Sequence, residues 1–333
     1  LSAPPASVAS LPLVRSHAGE HLIPELVVIS GKGGTGKTSL TAAFAMLAGD
    51  AVVADCDVDA ADLHLVLGPE VFDRQVFKSG HEASIREDDC DGCGDCIEVC
   101  RFDAIASDTD TSPVVDSVAC EGCGVCHFVC PRRAIDLIDR ICGEWFLSKT
   151  RAGPMVHARL GIAAENSGKL VSTVRAAARR LAIESGSRLI LVDGPPGIGC
   201  PVISSITGAD AVLVATEPSV SGAHDLDRVL SLTRHFGIPA AVCVNRWDIN
   251  AGITRHIEEE ARARGAVNMG RVRYDAAFTE AQILGKTVVE LDSPVAEEVR
   301  MLWERFSESQ WWRAGAAYPA RLPSDIETQG RNT

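Results

Sequence analysis

Short apolar runs punctuate the chain. Glu25-Leu-Val-Val-Ile-Ser30, Ala51–Asp55, Leu189–Asp193, Ala211–Thr216 and Ala240–Asn245 are rich in Val, Ile, Leu and Ala and apolar at nearly every position. Runs of this length without polar alternation predict strands buried on both faces. Longer stretches with helical spacing lie between them. Thr38–Leu47 is rich in Ala and Leu, and Ser221–Phe236 is stopped by Gly237 and Pro239. From Ser293-Pro294 a further helix sets Val295, Val299, Leu302, Trp303 and Phe306 on one face. Its other face carries Glu297, Glu298, Glu304 and Glu308, which suits core packing and not anionic lipid. Strands alternating with helices predict an α/β fold with a doubly wound, mostly parallel sheet. Ligands of such sheets sit at the carboxyl ends of the strands.

One region breaks this rhythm. Cys90, Cys93, Cys96 and Cys100 recur 30 residues later as Cys120, Cys123, Cys126 and Cys130. Gly92 and Gly94 recur as Gly122 and Gly124, Val99 as Val129, and Ala104-Ile105 as Ala134-Ile135. The repeat reads as a duplicated module inserted over residues 81–140. The expected layout is a flexible tail over 1–24, an α/β domain in two parts, 25–80 and 141–310, and a tail over 311–333. The first stretch is rich in Ala, Ser and Pro and lacks the basic and apolar regions of a secretory leader.

The first strand runs into Gly31-Lys-Gly-Gly-Thr-Gly-Lys-Thr38, followed by a helix. This is G-x-x-x-x-G-K-[ST] in its expected strand–loop–helix context. Backbone amides of Gly31, Gly33, Gly34, Thr35, Gly36 and Ser39 are placed to wrap phosphates at a helix N-terminus. Lys37 reaches the β- and γ-phosphates, and the Thr38 hydroxyl ligates Mg²⁺.

Lys32, a second cation in the loop, carries a resemblance to the deviant Walker A ATPases of the MinD/ParA/nitrogenase-iron-protein superfamily. The resemblance implies an ATP-bound homodimer with nucleotide at the interface and Lys32 reaching the partner's phosphates. Asp55-Cys-Asp-Val-Asp59 resembles the family's switch I, which implies that Asp57 orients the attacking water; Asp59 and Asp62 are weaker candidates. Asp193-Gly-Pro-Pro-Gly-Ile-Gly199 looks like Walker B with switch II, which implies that Asp193 holds the Mg²⁺ shell and that the glycines rearrange. Asn245-Arg-Trp-Asp248 can be read as a guanine signature, but the resemblance implies an adenine contact from Asn245. In the base-side loop at Tyr274-Asp275, Val272-Arg273 stands in place of the usual Ile-Pro. Gly143-Glu-Trp-Phe146, Asn166-Ser-Gly-Lys169 and Gly199-Cys-Pro-Val-Ile203 extend the resemblance, which covers residues 25–305.

The cysteine motifs are C-x2-C-x2-C-x3-C twice. Three thiolates at this spacing wrap one cubane and the fourth serves the other cluster. Cys90, Cys93, Cys96 and Cys130 are therefore assigned to one [4Fe–4S] cluster, and Cys120, Cys123, Cys126 and Cys100 to a second. Pro131 follows the last cysteine as in bacterial ferredoxins, while Arg101 stands at the equivalent place in the first copy. Zinc knuckles or disulfides are the competing uses of eight cysteines. His127 lies between two ligands as a tuning group or an exposed bystander. The whole pattern resembles MinD-superfamily ATPases with an inserted two-cluster ferredoxin-like (α+β) domain.

Composition then narrows the classes. The 333 residues hold 12 cysteines, 46% hydrophobic residues and a formal charge of −13. Wholesale disorder and general nucleic-acid binding are disfavoured. No apolar run approaches the ~20 residues of a membrane span. Ligand-type clusters beside lone thiols indicate a reducing compartment, expected to be the cytoplasm. Residues 81–140 carry 14 Asp/Glu against 5 Arg, a net −9, so most of the acidity belongs to the insert and suggests a docking face for a basic redox partner. Three function classes remain: an ATP-gated electron-transfer protein, which leads; an iron–sulfur carrier or assembly ATPase; and a MinD/ParA-type positioning ATPase with the clusters as sensors. No late C-x-x-C pair supports the carrier class. Of the lone thiols, Cys56 and Cys243 are expected in the core. Cys142 and Cys200 are either small buried residues or ligands of a third cluster bridging a dimer.

Overall fold

The computed structural model describes residues 23–107, 112–161 and 167–309. The expected tails up to residue 22 and from residue 311, and Asn166 of the Asn-Ser-Gly-Lys stretch, lie outside the described residues.

In chain order the elements are β1 (Glu25–Ser30), α1 (Lys37–Ala48), β2 (Ala51–Asp55), α2 (Leu63–Leu67), β3 (Glu70–Ile85), α3 (Asp95–Val99), β4 (Ile105–Ala106), β5 (Val114–Val115), α4 (Val125–Val129), β6 (Ile135–Thr150), β7 (Gly153–Leu160), α5 (Ser167–Ser185), β8 (Leu189–Pro196), α6 (Cys200–Ile206), β9 (Ala211–Thr216), α7 (Val220–His235), β10 (Ala240–Asn245), α8 (Ala251–Ala263), β11 (Val267–Val272), α9 (Ala277–Ile283) and α10 (Pro294–Glu308). Nine strands form one sheet in the order β11-β10-β9-β1-β8-β2-β7-β6-β3. The seven from β11 to β7 are parallel, and β6 and β3 add antiparallel at the far edge. The α/β sheet read from the apolar runs is present.

Alternate residues of each central strand feed two cores, one per sheet face. Val27 and Ile29 of β1 join Val174 of α5, Val229 of α7 and Ile257 of α8 on one side. Leu26 and Val28 join Phe44 of α1 and Val299, Leu302 and Phe306 of α10 on the other. The α10 stripe therefore packs inward as its spacing predicts. Fully burying a side chain such as Phe306 stabilises by about 1.5–3 kcal/mol. Trp303 sits at the edge of this core with its ring 5.2 Å from that of Phe44.

A buried charge fixes where β1 begins. Glu25 accepts from Arg175 Nε at 2.6 Å and from Arg179 Nη2 at 2.6 Å. Arg175 Nη1 also donates to the Ser204 and Thr207 carbonyls, tying α5 to the last turn of α6. Removing either partner leaves an uncompensated buried charge.

The far edge is built differently. β3 and β6 are sixteen residues each and pair from Glu70↔Lys149 to Ile85↔Ile135. They form a ribbon that starts in the sheet and runs through positions 81 and 140 to the repeat region. The described residues within 86–134 hang between its arms: α3 and α4, one from each motif, and the two-residue pair β4–β5. Their core is small, comprising Ala83, Cys96, Ala104, Ile105, Cys120, Cys126 and Ile135 among the described residues. No described helix is long and apolar enough to cross a membrane.

Candidate functional site

The phosphate loop joins β1 to α1. Gly36 has φ +91°, and a Cβ there would collide with the Asn245 amide, so only glycine fits. Gly31 is equally confined, by the Asp225 side chain and backbone. Gly33 and Gly34 are exposed, whereas Thr35 is buried. Ser39 accepts from Gln282 Nε2 at 3.3 Å.

Behind the loop the carboxyl ends of β2 and β8 bring three carboxylates together. Asp55 and Asp193 are register partners on adjacent parallel strands. Lys37 Nζ is ion-paired with Asp57, and both side chains are buried. Thr38 Oγ1 donates to Asp193 Oδ2 at 2.7 Å, and Thr41 Oγ1 to Asp193 Oδ1 at 3.2 Å. Burial pushes the Asp193 carboxyl up to about 6, against the pull of Lys37 and Thr38. Burial, then Asp193 and Asp57, raise Asp55 well above the ordinary carboxylate range. Burial works against the Lys37 charge, but Asp193 and Asp57 outweigh it and hold its pKa high. Asp55 Oδ2 is buried without a hydrogen-bond partner. An orphaned carboxylate oxygen beside Asp193 and the Thr38 hydroxyl is an oxygen-rich donor set that suits Mg²⁺. Sequence reasoning passed over Asp55 in favour of Asp57; its place at the end of a buried strand was the available signal. Asp59 and Asp62 are exposed.

Lys32 is held by its own chain. Its Nζ pairs with Glu217 at 2.6 Å and donates to Ser221 at 2.9 Å and Ser219 at 3.2 Å. Lys32 in turn keeps Glu217 below the usual carboxylate range despite partial burial. None of these three partners was singled out from sequence. Asn245 is buried and donates through Nδ2 to the Thr35 carbonyl at 2.8 Å, so in this arrangement it braces the loop. Asp248 accepts from the Tyr274 amide at 2.7 Å, fixing the base-side loop.

The cysteines of the repeat line two cavities. Cys100, Cys120, Cys123 and Cys126 line one. Cys90, Cys93, Cys96 and Cys130 line another. These are the two sets that the spacing groups together, with the fourth cysteine of each motif in the other motif's cavity. All eight are free thiols. Among the described residues no three or more His, Cys, Asp or Glu side chains are drawn together as ligands of one metal ion. The first cavity lies nearer the sheet. Arg140 Nη1 donates to the Cys120 carbonyl, and a Cβ on Gly122 would strike the His81 backbone. The second lies at the ribbon tip, beside Ile85 and Ile135. His127 is exposed on α4, and its Nδ1 is within hydrogen-bond reach of the Ile135 carbonyl.

The lone thiols separate. Cys56 and Cys243 are fully buried, and burial pushes the Cys243 thiol up to about 12. Cys142 is 1% exposed, with Sγ donating to the Ser79 carbonyl at 3.1 Å. A thiol so buried and so engaged counts against the bridging-cluster reading for Cys142. Cys200 is exposed at the start of α6, contrary to its reading as a buried switch residue.

Known proteins resemble this chain in sequence or in fold. Two uncharacterized proteins of Methanocaldococcus jannaschii are 33% identical over 69% of this chain and 80% of theirs, and 24% identical over 68% and 81%. Among solved structures, the cell-division ATPase MinD of Pyrococcus furiosus aligns at TM-score 0.51 with 18% identity over 85% of this chain and 98% of its own. MinD of Pyrococcus horikoshii, solved with Mg-ADP, aligns at 0.51 with 16% identity over 86% and 96%. MinD in the MinC:MinD complex of Aquifex aeolicus aligns at 0.51 with 20% identity over 86% and 96%. Residues 26–288 match the CobQ/CobB/MinD/ParA nucleotide-binding domain family, and the chain belongs to that family.

Proposed function

We propose that the protein is a Mg²⁺-dependent ATPase acting as a nucleotide-switched homodimer, and that its inserted module is a ferredoxin-like domain holding two [4Fe–4S] clusters. The observation that carries the ATPase half is the Lys37–Asp57 pair set beside Thr38 and Asp193 under a phosphate loop. ATP phosphates take the Lys37 ammonium, which frees Asp57 to orient the attacking water. Thr38, Asp193 and Asp55 hold Mg²⁺, which neutralises charge on the phosphates. Lys32 leaves Glu217 and reaches the partner's nucleotide when the dimer closes. Switch II, from Gly194 to Gly199, responds to loss of the γ-phosphate.

The iron–sulfur half rests on the two four-cysteine cavities. Cys90, Cys93, Cys96 and Cys130 hold one cluster and Cys100, Cys120, Cys123 and Cys126 the other. Bound there, the clusters supply reversible one-electron chemistry. Electron transfer to a partner protein, with the acidic module as docking face, is the reading these cavities favour. The MinD relatives favour a second reading: a partner-recruiting or positioning ATPase in which the module senses redox state. The MinC:MinD complex is the specific precedent for partner recruitment.

Anaerobic reconstitution tests both halves. About eight irons per chain and a reversible EPR signal are expected, with ATP hydrolysis abolished by Lys37→Ala. Zinc in place of iron, or hydrolysis that survives Lys37→Ala, refutes the corresponding half. Electrons passed to an acceptor protein support the first functional reading. Nucleotide-dependent capture of a partner without electron transfer supports the second. Transfer of iron and sulfide to an apo-protein supports the carrier class.

A further inference from the structure

Switch I and the cysteine ribbon share more than a stretch of backbone. After Asp57 the chain turns into α2, whose Leu63, Val66 and Leu67 are buried against the core under α1. His64, between them, is half-buried. Its ring lies parallel to that of His157 on β7, with 8° between the planes and 6.4 Å between centroids. His157 also stacks on Phe146 of β6 at 4.9 Å, and its Nε2 is 2.9 Å from the Ser148 hydroxyl. The Arg74 guanidinium of β3 lies over Phe146, 5.6 Å from the ring centre. Arg74 also pairs with Glu144 at 2.5 Å, and Arg159 of β7 reaches the same carboxylate at 3.4 Å.

These are register partners: His157 faces Phe146 across β7–β6, and Phe146 faces Arg74 across β6–β3. Side chains opposite one another on adjacent strands interact directly. The row therefore crosses three strands on one face of the sheet, from the helix after switch I to both arms of the ribbon. Nothing in nucleotide binding or cysteine grouping requires it.

We propose that this row is the mechanical link by which switch I sets the position of the ribbon and its cysteine module, with His64 as the positioning residue. A differential contact drives it. In the described state Asp57 holds Lys37; a triphosphate competes for Lys37, and the loop from Asp57 to Asp62 takes a second position. A ligand shifts a two-state element only through such a difference in contacts. The α2 helix moves with the loop, and His64 carries the shift to His157, Phe146 and Arg74. The spectroscopic form of the test rests on the two-cluster reading above; the link itself does not.

The test compares His64→Ala, His64→Phe and Phe146→Leu with the parent protein. In the parent, ATP and ADP give different cluster EPR spectra and different amide exchange along residues 71–85 and 135–150. In His64→Ala both differences fall by about fivefold, while iron content and ATP hydrolysis stay within about twofold of the parent. His64→Phe, which keeps a flat ring, restores them, and Phe146→Leu reproduces the loss. Full nucleotide differences in His64→Ala with normal iron content overturn the proposal. So does a parent protein in which ATP and ADP give the same exchange. A chain that binds no iron refutes the cluster reading alone, because the exchange arm still decides the link.

Discussion

The nucleotide loop and the cysteine module are the two chemically loaded regions of this chain, and they are built in opposite ways. Around the loop the protein supplies its own counter-charges. Lys37 has Asp57, Asp193 has Thr38 and Thr41, and Asn245 ties the loop to β10. That network sits between two large cores, so it stays organised without a ligand. The module has a core of a few residues, three of which are cysteines, and helices of five residues. Segments this short do not hold helical structure by propensity. One region is organised by apolar burial alone; the other has little apolar burial, and on the proposed reading it depends on its clusters to stay folded.

The largest expected effect tests that contrast directly. Replacing Cys96 and Cys126 with Ser, or stripping iron with a chelator, should unfold residues 86–134 and leave the sheet intact. Metal centres that organise small domains contribute on the order of 10 kcal/mol to folding. Limited proteolysis should cut the module rapidly while the main unfolding midpoint stays in place. A module that remains resistant without iron would abolish the distinction.

Next comes the opposite manipulation. Asp57→Asn leaves the Lys37 ammonium unpaired at a buried site, where the paired side chains are 9% and 6% exposed. Breaking one side of such a pair costs about 3–5 kcal/mol. Thermal unfolding of the nucleotide-free protein should fall accordingly, and ATP should recover much of the loss by giving Lys37 a phosphate partner. Iron content should not change. Equal losses with and without ATP would mean that Lys37 does not face the phosphates.

These two regions were also the most legible in sequence, for a shared reason. Backbone cradles and cubane ligands constrain spacing along the chain, so Gly31–Thr38 and the paired cysteine motifs announce themselves locally. Central strands were readable because burial on both faces demands unbroken apolar runs; β1, β2, β9 and β10 begin and end where those runs do. The ribbon was not readable. Glu70–Ile85 is polar, charged and interrupted by register shifts, because an edge strand has one neighbour and little to bury. Glu217 and Asp55 were missed for another reason. A carboxylate's role depends on what the fold brings beside it, and Glu217 meets Lys32 across 185 positions of chain. The His64–His157–Phe146–Arg74 row was invisible on the same grounds, since register sets it.

A third, smaller effect is set by pH. In its proposed role Asp193 must be ionised to hold Mg²⁺, and burial pushes its carboxyl up to about 6. Below that value protons compete with the metal, so Mg-ATP affinity should fall by about tenfold per pH unit. Cluster EPR intensity, read from a separate part of the chain, should not follow the same curve. Affinity that is flat from pH 7 to 5 would place the metal elsewhere.

The smallest effect separates two opposing slopes in one acid window. Asp193 is raised from its unfolded value, so the folded chain takes its proton first, and stability contributed by protonation grows as pH falls from about 6 toward 4. His157 runs the other way. Burial, with the nearby His64 adding to it, lowers its pKa from 6.5 to about 4, so the folded chain keeps it neutral while the unfolded chain takes up a proton. Its contribution is complete above pH 6.5 and is lost as pH falls through 4. His157 is partly exposed, and after solvent screening the effect is about 1 kcal/mol. Replacing it with Phe keeps a flat ring between His64 and Phe146 and removes the titration; it also removes the hydrogen bond to Ser148, so the slope with pH and not the absolute stability is compared. Stability of His157→Phe should therefore climb more steeply than the parent's between pH 6 and pH 4. Parallel curves would mean that His157 is solvated, and that the row joining the two regions is looser than its ring geometry indicates.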